Sequence, residues 1–491
     1  MGGDRGLRGY PTIILQIVIS MIYSQDHNVE RCMKNGLILI GCGVHAQDNY
    51  IQFIKKYKYN LKLIVDTIEA KQSVVESIKN IFKKSPDLYF VKALKHASKI
   101  RKEDYDWLTN YAKHNDVGSV IISTDPLTHR MYLEWAIDAG LNILCEKPLT
   151  GYAGISNNVT LARKLNSDFE NLSEACEHKN LKLNIQTQRR YHPVYEFVYS
   201  AVKKVVLDYG ITINYIGIFS GNGIFNSVQE YVTKENHPHN KGYGKLLHSG
   251  YHFVDLFSWF AELNTLINGV RYTEVSVFTN IYSVKDLNSQ FERVHGKHKL
   301  LSSDPLFKSQ GENEIKKLDG LGEVDLYSQI MLRSGEVTIL NGHLALLQNS
   351  ASKRSTIDYN VGDFKNSSAI RKELFVIEIG PMYSICAFAL QNHSVNPLKS
   401  HDYSHVVTIH RNSKYMKGKA YEEVYFRNSS GGEKINSFSK KARLRCFQDF
   451  LDSKNKSDLK SHRLSIGIFA LIQENVARIN SHKLGFSKKI I

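Results

Sequence analysis

Leu37-Ile38-Leu39-Ile40-Gly41-Cys42-Gly43-Val44-His45-Ala46 is the stretch on which the reading of this 491-residue chain turns. Four apolar residues in a row fit a strand covered on both faces. The G-x-G-x-x-A that follows fits a tight turn into a helix. Gly41 permits the turn, Gly43 lets a pyrophosphate approach the backbone, and Val44 opens the helix. Ala46 keeps helix and strand close, so the helix N-terminus faces the phosphates. A second apolar strand, Leu61–Val65, ends at Asp66, slightly beyond the ~20 residues after the first glycine expected of a ribose-binding acid. A carboxylate there accepts from a ribose 2′-hydroxyl and repels a 2′-phosphate. That favours NAD and admits NADP.

The alternation continues outward from this unit. Helices are expected over Ala46–Lys56, Glu69–Phe82 and His129–Ala139, with strands at Val120–Ile122 and Asn142–Cys145. Short apolar strands separated by helices imply a parallel, doubly wound sheet over residues 33–150. Before it, residues 1–32 read as an extension of doubtful function, with Met33 as an alternative start. Its apolar run Thr12–Tyr23 is too short to span a membrane. Beyond Thr150 a helix over Leu161–His178 and a strand at Lys182–Gln186 precede runs of period two. These are Ile211–Phe219, Val275–Tyr282, Asp325–Leu332, Val337–Leu340, Leu374–Ile379 and His405–His410. They predict an α+β domain over 151–491 with an open, largely antiparallel sheet. Polar stretches at Lys285–Gly322, Asn349–Lys372 and Asn428–Lys441 read as loops, and Arg463–Asn480 as a closing helix. The fold class is therefore α/β.

Net charge is +16, from 64 Lys and Arg against 48 Asp and Glu. The two signs are interspersed and no nucleic-acid motif accompanies them, so a solvated surface is expected rather than a nucleic-acid partner. Cys32, Cys42, Cys145, Cys176, Cys386 and Cys446 form no C-x-x-C pair, which argues against a disulfide framework or structural zinc and for a reducing cytoplasm.

Two segments carry chemistry. The strand ending at Cys145 runs into Glu146-Lys147-Pro148, so Lys147 would project into the crevice at the strand ends. A partly desolvated lysine there holds a substrate oxygen. Farther on, His248, His252 and Asp255 stand at i, i+4 and i+7 of an apolar helical stretch, on one face. Histidine is suited to taking a proton near neutral pH. A metal site or hydrogen-bonded core histidines are the competing readings, with metal ranked lowest.

Thr124 with His129, Ala139-Gly140, Cys145 to Pro148, Gln188 to Pro193 and Gly244 to Asp255 together resemble the glucose–fructose oxidoreductase/inositol dehydrogenase/MocA family, over about Met33 to Asn480. The resemblance implies an amino-terminal Rossmann domain, with Lys147 and His252 catalytic and His248 beside them. It puts Thr124, His129, Glu146 and Pro148 around the cofactor, and Arg190 and Asp255 on the substrate side. A sugar, polyol or nucleotide sugar would be the substrate, and the chain would form dimers or tetramers. Two departures stand out: His248 occupies an aspartate slot, and Asp125-Pro126 displaces a proline. A non-catalytic sugar or cofactor sensor and an NAD-dependent glycosidase are the alternative activities. No membrane partner is expected.

Overall fold

β1 (Gly36–Ile40) is buried along its whole length and lies inside a six-stranded sheet. Strands covered on both faces read as unbroken apolar runs, which is why this one was legible. In the computed structural model, the described residues are 36–490 except 80, 83, 94–98, 222–225, 234–237, 294–315, 351–371, 392–402, 428–437, 453 and 455. The extension at 1–32 lies outside them. β1 pairs in parallel with β2 (Leu61–Thr67) and β4 (Val117–Ile122). β3 (Asp87–Val91), β5 (Asn142–Cys145) and β6 (Leu183–Ile185) complete the parallel order β3-β2-β1-β4-β5-β6. Winding reverses between β1 and β4, so their carboxyl ends open a crevice. β6 joins this sheet from beyond residue 150. β3 and the helix Lys102–His114 have no counterpart in the sequence reading. The helix Pro126–Asp138 starts with proline in its first turn, and the Asp125 side chain accepts from the Leu127 N–H at 3.0 Å. The shifted proline thus belongs to an N-cap.

The second sheet has nine strands in the order β14-β13-β12-β11-β7-β10-β9-β8-β15. They are β7 (Tyr215–Ser220), β8 (Glu274–Tyr282), β9 (Asp325–Ser334), β10 (Val337–Leu346), β11 (Lys372–Ile379), β12 (Tyr383–Gln391), β13 (Tyr403–Arg411), β14 (Tyr421–Arg427) and β15 (Phe486–Ile490). Every pairing is antiparallel except β7 with β10. The period-two pattern is plain in β11, where Glu373, Phe375, Ile377 and Ile379 point inward. Helices Pro193–Tyr209, Tyr251–Ala261 and Arg463–Asn480 cover that face. Gly342 makes room for one of them, since a Cβ there would lie 2.2 Å from the Phe257 ring. The opposite face exposes Phe278, Tyr327, Phe388 and Tyr425.

Arg463–Asn480 does not close the chain, because β15 follows and pairs with β8. The stretch read as the loop Lys285–Gly322 begins inside a helix, Val284–Arg293, and most of its remainder lies outside the described residues. So do most of Asn349–Lys372 and the first part of Asn428–Lys441, which runs into the helix Phe438–Leu451. One continuous apolar core joins β4 and β5 to the nine-stranded sheet. Among the described residues no helix is long and apolar enough to cross a membrane.

Candidate active site

The glycine turn is fixed by backbone geometry. Gly41 has φ +87°, and a Cβ on it would lie 2.5 Å from the Ser123 carbonyl oxygen. Only glycine tolerates both. Gly43 caps the helix, and a Cβ there would meet nothing within 4 Å, so the space over the helix N-terminus is open. An anionic group fits that cradle, with exposed Val44 beside it and buried Ala46 holding the helix to the sheet. The Asp66 carboxylate accepts from the Cys42 N–H at Oδ2 and the Thr67 N–H at Oδ1, both at 2.7 Å. Each oxygen keeps a lone pair for a ribose hydroxyl. Burial, reinforced by Asp66, raises the Cys42 thiol to about 12, so it is no nucleophile.

A π-type turn at Gln47–Ile51 brings Tyr50 inward. Its hydroxyl donates to Glu146 Oε1 at 2.6 Å, and His45 Nε2 lies 3.0 Å from the same oxygen. Burial opposes ionisation of Glu146, but His45, Tyr50 and Lys147 hold its pKa at about 2. The Lys147–Pro148 bond is cis. His129 is fully buried, with Nδ1 2.9 Å from the Pro148 carbonyl and Nε2 3.1 Å from that of Thr124. Thr124 in turn accepts from the Thr128 hydroxyl at 2.9 Å. His129 has no exposed atom with which to touch a cofactor. With Thr124 it ties together the two backbone segments bordering the crevice.

The facing wall starts where two backbones nearly touch. A Cβ on Gly244 would lie 2.1 Å from the Glu323 carbonyl oxygen. The buried Glu323 carboxylate accepts from the Leu246 N–H at 2.8 Å and the Ser156 hydroxyl at 2.9 Å. A π-type turn, Leu246–Gly250, then leads into Tyr251–Ala261. Lys147 Nζ donates to the His248 carbonyl at 2.8 Å, carrying an ammonium from the first sheet to the turn preceding His252. His252 Nδ1 is buried and has no hydrogen-bond partner. Burial, then Lys147, Arg189 and Arg443, push the imidazole far below its ordinary pKa, against Asp255. Burial likewise lowers Lys147, with Glu146 opposing and Arg443 assisting.

The single polar face expected of His248, His252 and Asp255 does not form. The His248 ring is exposed, because the wider π turn changes its angular offset from His252. Asp255 is fully buried and bound to Arg190, with Arg190 Nε 3.0 Å from Oδ2 and an Nη 2.6 Å from Oδ1. The remaining Arg190 N–H groups go to the Lys456 and Ser461 carbonyls and the Ser461 hydroxyl. His462 and Ser465 complete the shell of Asp255. All five Arg190 donors are thus committed, so Arg190 and Asp255 lock the helix to the 456–465 turn rather than facing a substrate.

Several groups near His252 were not found from the sequence. Arg189 pairs through two nitrogens with Glu373, at 2.8 and 2.9 Å, and its guanidinium lies 4.1 Å from the Phe253 ring. Glu373 stands in the inward register of β11, so a partner is obligatory. Lys245 is 4% exposed; burial pulls it down to about 8, with Asp325 and Glu373 opposing and Arg189 and Lys147 assisting. Arg443, on Phe438–Leu451, completes the set. Adjacent cationic residues at 189 and 190 were the only signal in the sequence, and nothing there says which turns toward His252. Among the described residues, no group of three or more His, Cys, Asp or Glu side chains is placed to hold a metal ion.

Residues 36–170 match the family model GFO_IDH_MocA, an oxidoreductase family with an NAD-binding Rossmann fold. An oxidoreductase from Agrobacterium radiobacter, solved with NAD+, L-tartaric acid and magnesium, superposes with a TM-score of 0.53 at 13% identity, covering 93% of this chain and 98% of its own. An inositol dehydrogenase homologue from Azotobacter vinelandii, solved with NADH and myo-inositol, gives 0.51 at 11% identity over 94% and 100%. An aldose–aldose oxidoreductase from Caulobacter crescentus, solved with glycerol, gives 0.50 at 16% over 93% and 100%. At such identities the likeness is one of fold. No curated protein matches the chain in sequence.

Proposed function

We propose that this chain, whose residues 36–170 match the model of an oxidoreductase family with an NAD-binding Rossmann fold, moves hydride between a nicotinamide cofactor and a hydroxyl or carbonyl of a sugar, polyol or nucleotide sugar. One observation carries the reading: Lys147 Nζ is held on the His248 carbonyl, one turn before an imidazole whose Nδ1 has no partner. Gly41, Gly43 and Ala46 would cradle the cofactor's pyrophosphate, and Asp66 its adenosine ribose. NAD(P), when bound, supplies the hydride acceptor or donor. Lys147 retains two N–H groups for the reacting oxygen. His252 is neutral at physiological pH and takes the proton from the substrate hydroxyl in the oxidative direction. Glu146, pinned by His45 and Tyr50, keeps Lys147 cationic. The reading includes self-association through the exposed aromatic face of the nine-stranded sheet, which sedimentation would test.

Purified protein with NAD or NADP and a panel of sugars, polyols and nucleotide sugars tests the activity. Turnover that disappears in Lys147→Ala and His252→Ala is expected, and equal turnover in both variants overturns the assignment. A catalytically silent sensor is the second reading, favoured by the missing carboxylate at His248. Tight NAD binding without turnover on the whole panel would select it.

A further inference from the structure

Asp125 stands in the slot where the resemblance leads one to expect proline, and its two carboxylate oxygens serve different parts of the molecule. Oδ1 accepts from the Leu127 N–H at 3.0 Å and caps the helix Pro126–Asp138. Oδ2 accepts from Lys241 Nζ at 2.6 Å and from the Tyr243 hydroxyl at 3.3 Å, 116 and 118 residues along the chain. A proline side chain could accept none of these bonds. The Asp125 and Lys241 side chains are 33% and 27% exposed, so the pair is partly shielded from solvent.

From Asp125 a path of contacts leads to each reacting group. The capped helix carries His129, whose Nδ1 lies 2.9 Å from the Pro148 carbonyl, next to Lys147. On the other side, Lys241 and Tyr243 belong to the segment that enters the π turn Leu246–Gly250 ahead of His252. That segment is itself anchored. The Lys241 carbonyl accepts from the Gly154 N–H at 2.8 Å and the Gly242 carbonyl from the Ser156 N–H at 3.0 Å. A Cβ on Gly242 would lie 2.6 Å from the Gly154 Cα, so the two backbones touch. The paths meet at Gly151, where a Cβ would lie 3.1 Å from both Pro126 Cβ and Leu247 Cδ2. The helix start and the π turn thus pack on one glycine and are cross-linked by one carboxylate. We propose that Asp125 is a positioning residue, which sets the separation of Lys147 and His252 by holding the entrance of the π turn against the start of the helix. The proposal rests on the oxidoreductase reading for what Lys147 and His252 do, and adds what keeps them in register.

Hydrogen exchange and steady-state kinetics on the full chain test it together. Lys241→Met removes the ion pair and leaves the helix cap intact. Asp125→Asn keeps an oxygen for the cap and gives up the charge. In both variants the amides of 246–250 are expected to exchange about fivefold faster than in wild type, the upper end for a partly shielded ion pair, with the helix Arg463–Asn480 unchanged. Turnover is expected to lose about tenfold in kcat while KM and NAD affinity hold, because a displaced turn misplaces His252 relative to Lys147. The double variant should lose no more than either single one, and Lys241→Arg should keep most of both properties. Where Lys241→Met fails to fold, Lys241→Gln takes its place. Wild-type exchange at 246–250 in either variant, faster exchange throughout the chain, losses that add in the double variant, or an undiminished kcat overturns the proposal. Exchange needs no substrate, so a chain that shows the local effect yet never reduces NAD defeats the oxidoreductase reading and leaves the hold on the turn standing.

Discussion

The glycine turn and the helix wall facing it are built in different ways. At the turn, specificity resides in the backbone: the positive φ of Gly41, the open side of Gly43 and the amides on Asp66 all arise within one βαβ unit. At the wall, specificity resides in side chains brought from β5, β9, β11, the 188–191 turn and the helix Phe438–Leu451. Two arginines adjacent in the chain show how that wall divides its labour. Arg190 is enclosed with Asp255, His462 and Ser461 and serves the fold, whereas Arg189 turns toward His252. A local device tolerates a changing neighbourhood, while an assembled one depends on every contributor.

Substitutions test this division, beginning with the largest effect. His252→Ala is expected to lower kcat by about 10²–10⁴-fold, the range for loss of a positioned proton acceptor, with NAD affinity unchanged by fluorescence titration. Asp255→Ala leaves Arg190 buried without its counter-ion and should cost about 3–5 kcal/mol in a denaturant melt. A loss below about 1 kcal/mol there would erase the contrast between the two arginines. Gly41→Ala forces φ +87° on a side chain, a strain of about 1–3 kcal/mol before its clash with the Ser123 carbonyl is counted, and should weaken NAD binding in parallel. Asp66→Asn should move the NAD-to-NADP preference in kcat/KM by about tenfold toward NADP, since the charge opposing a 2′-phosphate is gone.

The smallest effect is one of pH. Burial lowers the pKa values of His252, His129 and His462 in the fold, so between those values and about 6.5 the unfolded chain binds protons that the folded chain refuses. Stability should therefore be full above about pH 6.5 and decline as pH falls below it, read as a falling melting temperature from pH 7.5 to 5.5. The depressed carboxylates Glu146 and Asp255 lose their contribution only at more acidic pH.

What was legible in the sequence follows the same line. β1, β5 and the helix Arg463–Asn480 were read to within a residue because their burial is encoded in consecutive or 3.6-spaced apolar residues. β14, with the sequence YEEVYFR, hides its pattern behind edge-strand polarity. Lys245 was invisible because the carboxylates that act on it, Asp325 of β9 and Glu373 of β11, lie far along the chain. Arg190 was taken from the resemblance, and the 3₁₀ turn Gln188–Tyr191, unlike a strand, gives neighbouring side chains no fixed alternation from which Arg189 could have been picked out. The expected stripe of His248, His252 and Asp255 assumed α spacing through a turn that is π.

The helix Phe438–Leu451 has a bearing on how the molecule comes into being. Phe447 lies edge-on to both Tyr50 and Tyr59, and Arg443 reaches Asn49 at 3.4 Å across 394 residues of sequence, so the dinucleotide fold is finished by a segment translated long after it. A nascent chain emerging from the ribosome carries that aromatic surface uncovered until this helix follows it out. Excising the amino-terminal unit for expression by itself would leave the same surface bare for good.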